Sequence, residues 1–173
     1  MTKPAISAPI IGIVGWKNSG KTTLAAALIA EFTTRGYRVA SIKSAHHAFT
    51  IDDPKTDSGK HAAAGAVETA ILGGPRWAVM HHRPTDDAEA TLEDILTKMS
   101  PCDLIIAEGF KTATHTKIEV RGSSADTSHL ADTDTSIFAI ACDGQRDSIL
   151  PTFPRDAVNE IADFVMTHLA LQP

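Results

Sequence analysis

Eight consecutive residues, Gly15-Trp16-Lys17-Asn18-Ser19-Gly20-Lys21-Thr22, satisfy the pattern G-x-x-x-x-G-K-[S/T], and their context limits the fold more than any bulk property does. Residues 9–14, Pro-Ile-Ile-Gly-Ile-Val, are a continuous apolar run, the pattern of a strand buried on both faces. From Thr22 to Arg35 the apolar positions Leu24, Ala25, Leu28, Ile29 and Phe32 recur at helical spacing, and Gly36 supplies a left-handed stop. A strand that feeds a glycine-rich turn and then a helix is the setting phosphate binding requires. Small residues let backbone N–H groups turn inward around a phosphate, and the helix N-terminus adds partial positive charge. On this reading Gly15, Asn18, Ser19, Gly20 and Thr23 belong to the cradle. Lys21 reaches the outer phosphates as a point charge, and the Thr22 hydroxyl coordinates Mg²⁺. Lys17 reads either as a second positive charge on the phosphates or as a solvated loop lysine.

Tyr37 to Ile42 returns to strand character, so the first segments form a strand, helix, strand unit with a right-handed crossover. A polar stretch to Lys60 follows, then a helical turn at His61 to Ala66. The apolar runs Val67–Leu72 and Trp77–Met80 are joined by Gly73-Gly74-Pro75, a turn signal. Leu92, Ile95, Leu96 and Met99 mark another helix. Leu104–Ala107, Ile118–Val120 and Ile137–Ala141 mark strands, and Pro154 to Leu171 a closing helix. This alternation predicts an α/β protein, a three-layer P-loop NTPase fold with a mostly parallel central sheet. A length of 173 residues predicts one nucleotide-binding domain over 1–173.

Sixteen basic against 21 acidic residues, a net charge of −5 and no Lys/Arg block argue against wrapping of nucleic acid or an anionic bilayer. The apolar run before Gly15 is too short for a membrane span or a signal peptide, so a cytoplasmic protein is expected. Cys102 and Cys142 precede and follow separate strands; in a parallel sheet they stand at opposite edges, as suits a reducing compartment.

A metal at the loop needs a carboxylate, and Asp103-Leu-Ile-Ile-Ala-Glu108-Gly109-Phe110 offers two, one at each end of a strand. Five residues at about 3.3 Å each separate them by roughly 16 Å. Ligands of open parallel sheets lie at the carboxyl ends of the strands, where the loop also leaves its own strand. Glu108 is therefore the acid at the metal, and Asp103 a strand-start or capping residue. Gly109 lets the chain turn close to a phosphate.

Three blocks of the sequence resemble one family, the MobB adapter proteins of molybdopterin-guanine dinucleotide biosynthesis. The first is Val14 to Thr23. The second comprises Ile42-Lys43, His46-His47 and Pro54-Lys55-Thr56-Asp57-Ser58, continued by His61 and Ala64-Gly65-Ala66. The third runs from Asp103 to Lys111 and is followed by Lys117-Ile118-Glu119. The sequence departs from the pattern at Lys55-Thr56, where a Gly-Lys pair is common. The resemblance implies a small homodimeric protein that binds GTP with Mg²⁺, hydrolyses it slowly and assists the molybdopterin guanylyltransferase. It further implies binding of molybdopterin-guanine dinucleotide and its delivery to molybdoenzymes.

Within the second block, Asp57 and Ser58 follow a loop long enough to fold back over the phosphates. Asp57 either orients a water there or caps the helix that starts near Ser58. Adjacent His46 and His47 point different ways on any regular element, which favours contact with an anionic pterin or phosphate over shared metal ligation; a solvated loop is the rival. Asp143, after the last strand, is positioned to accept the N1 and N2 donors of guanine or to form an Asp-Gly turn. Two other classes share the loop. One is an ATP-dependent small-molecule kinase, which usually carries an arginine lid; here the arginines are dispersed. The other is a metal-delivery GTPase, which needs a His tract or paired Cys.

Overall fold

The structure, a computed structural model, describes residues 8–45, 53, 55–82, 90–122, 128–144 and 148–171. In chain order the elements are β1 (Ile10–Val14), α1 (Lys21–Thr34), β2 (Val39–Lys43), α2 (Asp57–Ala63), β3 (Glu68–Gly73), β4 (Arg76–His81), α3 (Leu92–Leu96), β5 (Leu104–Glu108), β6 (Lys117–Arg121), β7 (Ile137–Cys142), β8 (Thr152–Phe153) and α4 (Val158–Leu169). They fall into two compact units, Met1–Ser44 with Leu96–Pro173, and Ala45–Ile95.

The larger unit is built on a six-stranded sheet of order β2-β5-β1-β6-β7-β8. Every pairing in it is parallel, in agreement with the expected α/β class. Strict alternation along the central strands sorts their side chains. Ile11, Ile13, Leu104, Ile106, Ile118, Val120, Ala139 and Ala141 share one face, where they meet Leu24, Leu28 and Phe32 of α1 and Ile161, Ala162 and Val165 of α4. Each fully buried Leu, Ile or Phe side chain contributes about 1.5–3 kcal/mol there. This hydrophobic layer fixes α1 against β1, and hence the loop between them.

On the opposite face β6 presents Lys117 and Glu119, each only 1% exposed. Lys117 Nζ donates to the Ala113 carbonyl, to Asp134 Oδ2 at 2.9 Å and to Ser136 Oγ at 2.6 Å. Glu119 accepts from the backbone N–H groups of Leu130 and Ala131 at 2.8 and 3.2 Å and from Arg121. Both side chains thus hold loop segments onto the sheet. They also explain why the apolar run of β6 looks so short in the sequence.

Some boundaries differ from expectation. The second helix begins at Asp57 rather than His61, because the Thr56 hydroxyl caps it by accepting from Gly59 N–H at 3.2 Å. β8 was not anticipated, since two residues carry no periodicity. No disulfide joins Cys102 and Cys142. In the smaller unit β3 and β4 form an antiparallel hairpin from Glu68↔His81 to Gly73↔Arg76. Its two-residue turn is Gly74-Pro75, and the Gly74 φ of +57° suits glycine at the first central position. Among the described residues no helix is long and apolar enough to cross a membrane.

Candidate functional site

The loop leaves the carboxyl end of β1 through a conformation only glycine tolerates at Gly15. Its φ is +150°, and a β-carbon there would meet the Val120 carbonyl oxygen at 2.3 Å and Ser19 Oγ at 2.8 Å. Asn18 takes the left-handed conformation at φ 62°, which asparagine accepts better than most residues. Gly20, at φ 98°, is the N-cap of α1; it brings no side-chain hydrogen bond, and the first turn contains no acidic residue. The partial positive charge of the helix terminus is therefore not neutralised by its own sequence. Ser19 is 4% exposed, and its Oγ has no hydrogen-bond partner. Lys17, Asn18, Thr22 and Thr23 are exposed.

Beside the loop a hydroxyl, a carboxylate and an ammonium converge. Thr22 Oγ1 donates to Glu108 Oε1 at 2.8 Å. Lys43 Nζ binds the same carboxylate oxygen and lies 3.4 Å from Thr22 Oγ1. Register explains the second contact, because Lys43 and Glu108 are directly opposite on β2 and β5 and so lie on one face. Burial alone would raise the Glu108 carboxyl, but the hydrogen bonds from Lys43 and Thr22, with the charges of Lys43 and Lys21, hold it below the usual carboxylate range. Lys21 Nζ donates to the Trp16 carbonyl at 2.5 Å. Its ammonium is shifted below the ordinary lysine value, first by burial and then by Lys111 and Lys43, against the pull of Glu108. After Glu108 the chain turns at Gly109, φ +98°. Asp103 lies at the other end of β5, where its carboxylate pairs with Arg38 at 2.7 Å.

Three cationic side chains at the loop had no role assigned from the sequence. Lys43 is one. Lys111 lies 4.1 Å from the centre of the Trp16 ring, whose Nε1 donates to the Ser128 carbonyl at 2.8 Å. Arg155 is the third: it reaches from the exit of β8 to donate Nη1–H to the Ser19 carbonyl at 3.1 Å, with Nε on Asp143 Oδ2 at 2.7 Å. The arginines looked dispersed along the sequence, but one is on the loop. Asp143 thus sits at the carboxyl end of β7 with Oδ2 engaged by the Arg155 guanidinium and Oδ1 accepting the Arg155 backbone N–H at a long 3.4 Å. The guanidinium hydrogen bond lowers its pKa below the carboxylate norm.

Asp57 and Ser58 stand at the start of α2 in the smaller unit. Thr56 rather than Asp57 is the cap there, and Asp57 pairs with Lys60 at 2.9 Å. His46 and His47 lie outside the described residues. Among the described residues no group of three or more His, Cys, Asp and Glu side chains is placed to hold one metal ion. Thr22 and Glu108 therefore form a two-donor set of hard oxygens, which suits an ion that keeps several waters.

Compared with known families, residues 10–143 match the profile of MobB, molybdopterin guanine dinucleotide synthesis protein B. The chain belongs to the MobB family. It is 32% identical to the molybdopterin-guanine dinucleotide biosynthesis adapter protein of Escherichia coli K12, with 95% of each chain covered. The adapter protein of the same description from Haemophilus influenzae is 31% identical, over 91% of this chain and 87% of that one. Among solved MobB structures, a crystal structure described as molybdopterin-guanine biosynthesis protein B superposes with TM-score 0.71 at 31% identity, covering 92% of this chain and 99% of that one. The MobB homologue from Bacillus stearothermophilus gives 0.70 at 26% identity, covering 94% and 99%. Asp143 is the last residue of the profile match, and Arg155 lies beyond it.

Proposed function

We propose that this MobB chain is a GTP-binding adapter with weak Mg²⁺-dependent GTPase activity in molybdopterin-guanine dinucleotide biosynthesis. It assists the guanylyltransferase that joins GMP to molybdopterin, binds the finished dinucleotide and acts as a homodimer in its delivery to molybdoenzymes. The observation that carries the nucleotide part is the Thr22 hydroxyl on Glu108, beside Lys21 and the glycine-shaped loop. The adapter part rests on the family and on the names its relatives bear.

The residues present fit the groups this reading implies. Lys43 brings an ammonium to both Thr22 Oγ1 and Glu108 Oε1, so this oxygen pair already accommodates a cation. The buried Ser19 Oγ without a partner and the acid-free first turn of α1 suit an anion at the loop. When bound, Mg²⁺ neutralises developing charge on the phosphates. Gly15 and Gly20 shape the loop, Lys21 counters phosphate charge, and Thr22 and Glu108 supply the metal's protein oxygens. Slow turnover is consistent with Arg155, the arginine at the loop, being committed to Asp143 and Ser19.

Calorimetric titration with GTP, ATP and molybdopterin-guanine dinucleotide, with and without Mg²⁺, tests the reading. GTP or dinucleotide binding that Lys21→Ala abolishes is expected. A preference for ATP with no affinity for the dinucleotide overturns it and favours a small-molecule kinase.

A further inference from the structure

The guanidinium of Arg155 joins two parts of the sheet edge that the chain keeps 136 residues apart. Nε and Nη2 both donate to Asp143 Oδ2, and Nη1 donates to the Ser19 carbonyl at 3.1 Å. The fit is close, because a β-carbon on Gly20 would lie 2.9 Å from Nη1. Asp143 Oδ1 receives, among the described residues, only the long 3.4 Å contact from Arg155 N–H, so it retains acceptor capacity. A planar fork can hold a carboxylate and a carbonyl at once in this way; an ammonium on a flexible stem cannot fix both directions.

Sheet order gives the bridge its meaning. Glu108 and Lys43 stand on β5 and β2, on one side of β1, whereas Asp143 and Arg155 follow β7 and β8 on the other. A nucleoside triphosphate whose terminal phosphate lies at Thr22 and Glu108, in the crevice outside the carboxyl ends of the strands, extends its nucleoside end toward the β7 and β8 side. We infer that Arg155 is a positioning residue for that end, holding the Ser19 peptide in place and presenting Asp143 Oδ1 to the edge of a purine that carries N–H donors. Guanine has such an edge at N1 and N2. The inference rests on the nucleotide reading above.

Four proteins test it: the parent chain, Arg155→Ala, Asp143→Ala and the double variant, each titrated with GTP and ATP by calorimetry and checked by thermal unfolding. Arg155→Ala weakens GTP binding about tenfold, in line with the loss of hydrogen bonds to a charged group. The same change narrows the preference for GTP over ATP. Asp143→Ala does the same, and the double variant is no worse than the poorer single one, because the two side chains act as one unit. Arg155→Lys keeps the charge but restores neither affinity nor preference, and it carries the test if Arg155→Ala does not fold. The ratio of GTP to ATP affinity is the deciding readout, since a general loss of stability lowers both alike. Unchanged affinity and ratio in the Arg155 variants, or additive losses in the double variant, overturn the inference while leaving the nucleotide reading intact. A parent chain that binds no GTP overturns the nucleotide reading itself.

Discussion

Asp134→Asn removes a single charge next to Lys117, which among the described residues has no other counter-ion. Lys117 is 1% exposed and donates to the Ala113 carbonyl, Asp134 Oδ2 and Ser136 Oγ. Asp134 uses its second oxygen, Oδ1, to accept from the Ser136 N–H at 3.0 Å and the Ser136 hydroxyl at 2.5 Å. Asparagine has one side-chain oxygen, so whichever way the amide turns, its NH₂ faces a donor. Removing one partner of a buried ion pair costs about 3–5 kcal/mol. The Asp134 side chain keeps 27% of its surface in solvent. The expected loss is therefore about 2–4 kcal/mol, below the fully buried figure. At this chain length that lowers the melting temperature by roughly 5–12 °C. Denaturant unfolding followed by Trp16 fluorescence measures it, in a Trp77→Phe background that removes the tryptophan of the smaller unit. Adding Lys117→Met to Asp134→Asn eliminates the stranded ammonium and restores more than half of the loss. A loss under about 0.5 kcal/mol, well below the cost of an unsatisfied buried charge, would refute the argument. So would a double variant less stable than Asp134→Asn alone.

The two remaining predictions concern the loop and its carboxylate. Gly15→Ala and Gly36→Ala both place a side chain at positive φ, but the first drives it into the Val120 carbonyl while the second meets nothing within 4 Å. Thermal unfolding should show a loss of about 1 kcal/mol for Gly36→Ala and at least about 3 for Gly15→Ala; equal losses would mean that the contact with Val120 is unimportant. For Glu108, the folded pKa lies below the unfolded value, so its contribution is complete above the ordinary carboxylate range and disappears as pH falls through the lowered value. The share of Mg²⁺-dependent GTP affinity that Glu108→Gln removes should accordingly stay level across the neutral range and shrink only below the ordinary carboxylate range, a difference from which the titration of GTP itself cancels. A midpoint near neutrality in a calorimetric pH series would contradict this.

How far the sequence alone reaches can be judged residue by residue. The loop was legible because its chemistry is local: the strand before it, the glycines and the helix after it are contiguous. Glu108 was separated from Asp103 by strand polarity alone, and the structure puts Glu108 beside Thr22 and Asp103 beside Arg38, at opposite ends of β5. What depends on strand order was hidden. Lys43 meets Glu108 only because β2 and β5 are neighbours in a particular register. Arg155 meets Ser19 only because β8, two residues long, attaches to β7 and aims the chain back at the loop. Lys117 and Glu119 look like ordinary solvent-facing charges, yet they are buried by loops whose hydrogen-bond demands do not appear as periodicity. Asp57 was weighed as a cap, and its neighbour Thr56 holds that position.

The strand order has a further consequence for how the chain reaches its native state. β1 is made first and lies inside the sheet, but its two partners begin at Leu104 and Lys117. Pairing across such separations closes long loops before any contact rewards it, which slows folding. During synthesis the apolar run Ile10–Val14 must therefore wait, unpaired, until most of the chain has left the ribosome. The loop that depends on it takes its shape late, from the β6 carbonyl at Val120 that leaves room for nothing but glycine at position 15. Until then the nascent chain carries this apolar run unpaired, the exposure that slow, non-local strand pairing brings with it.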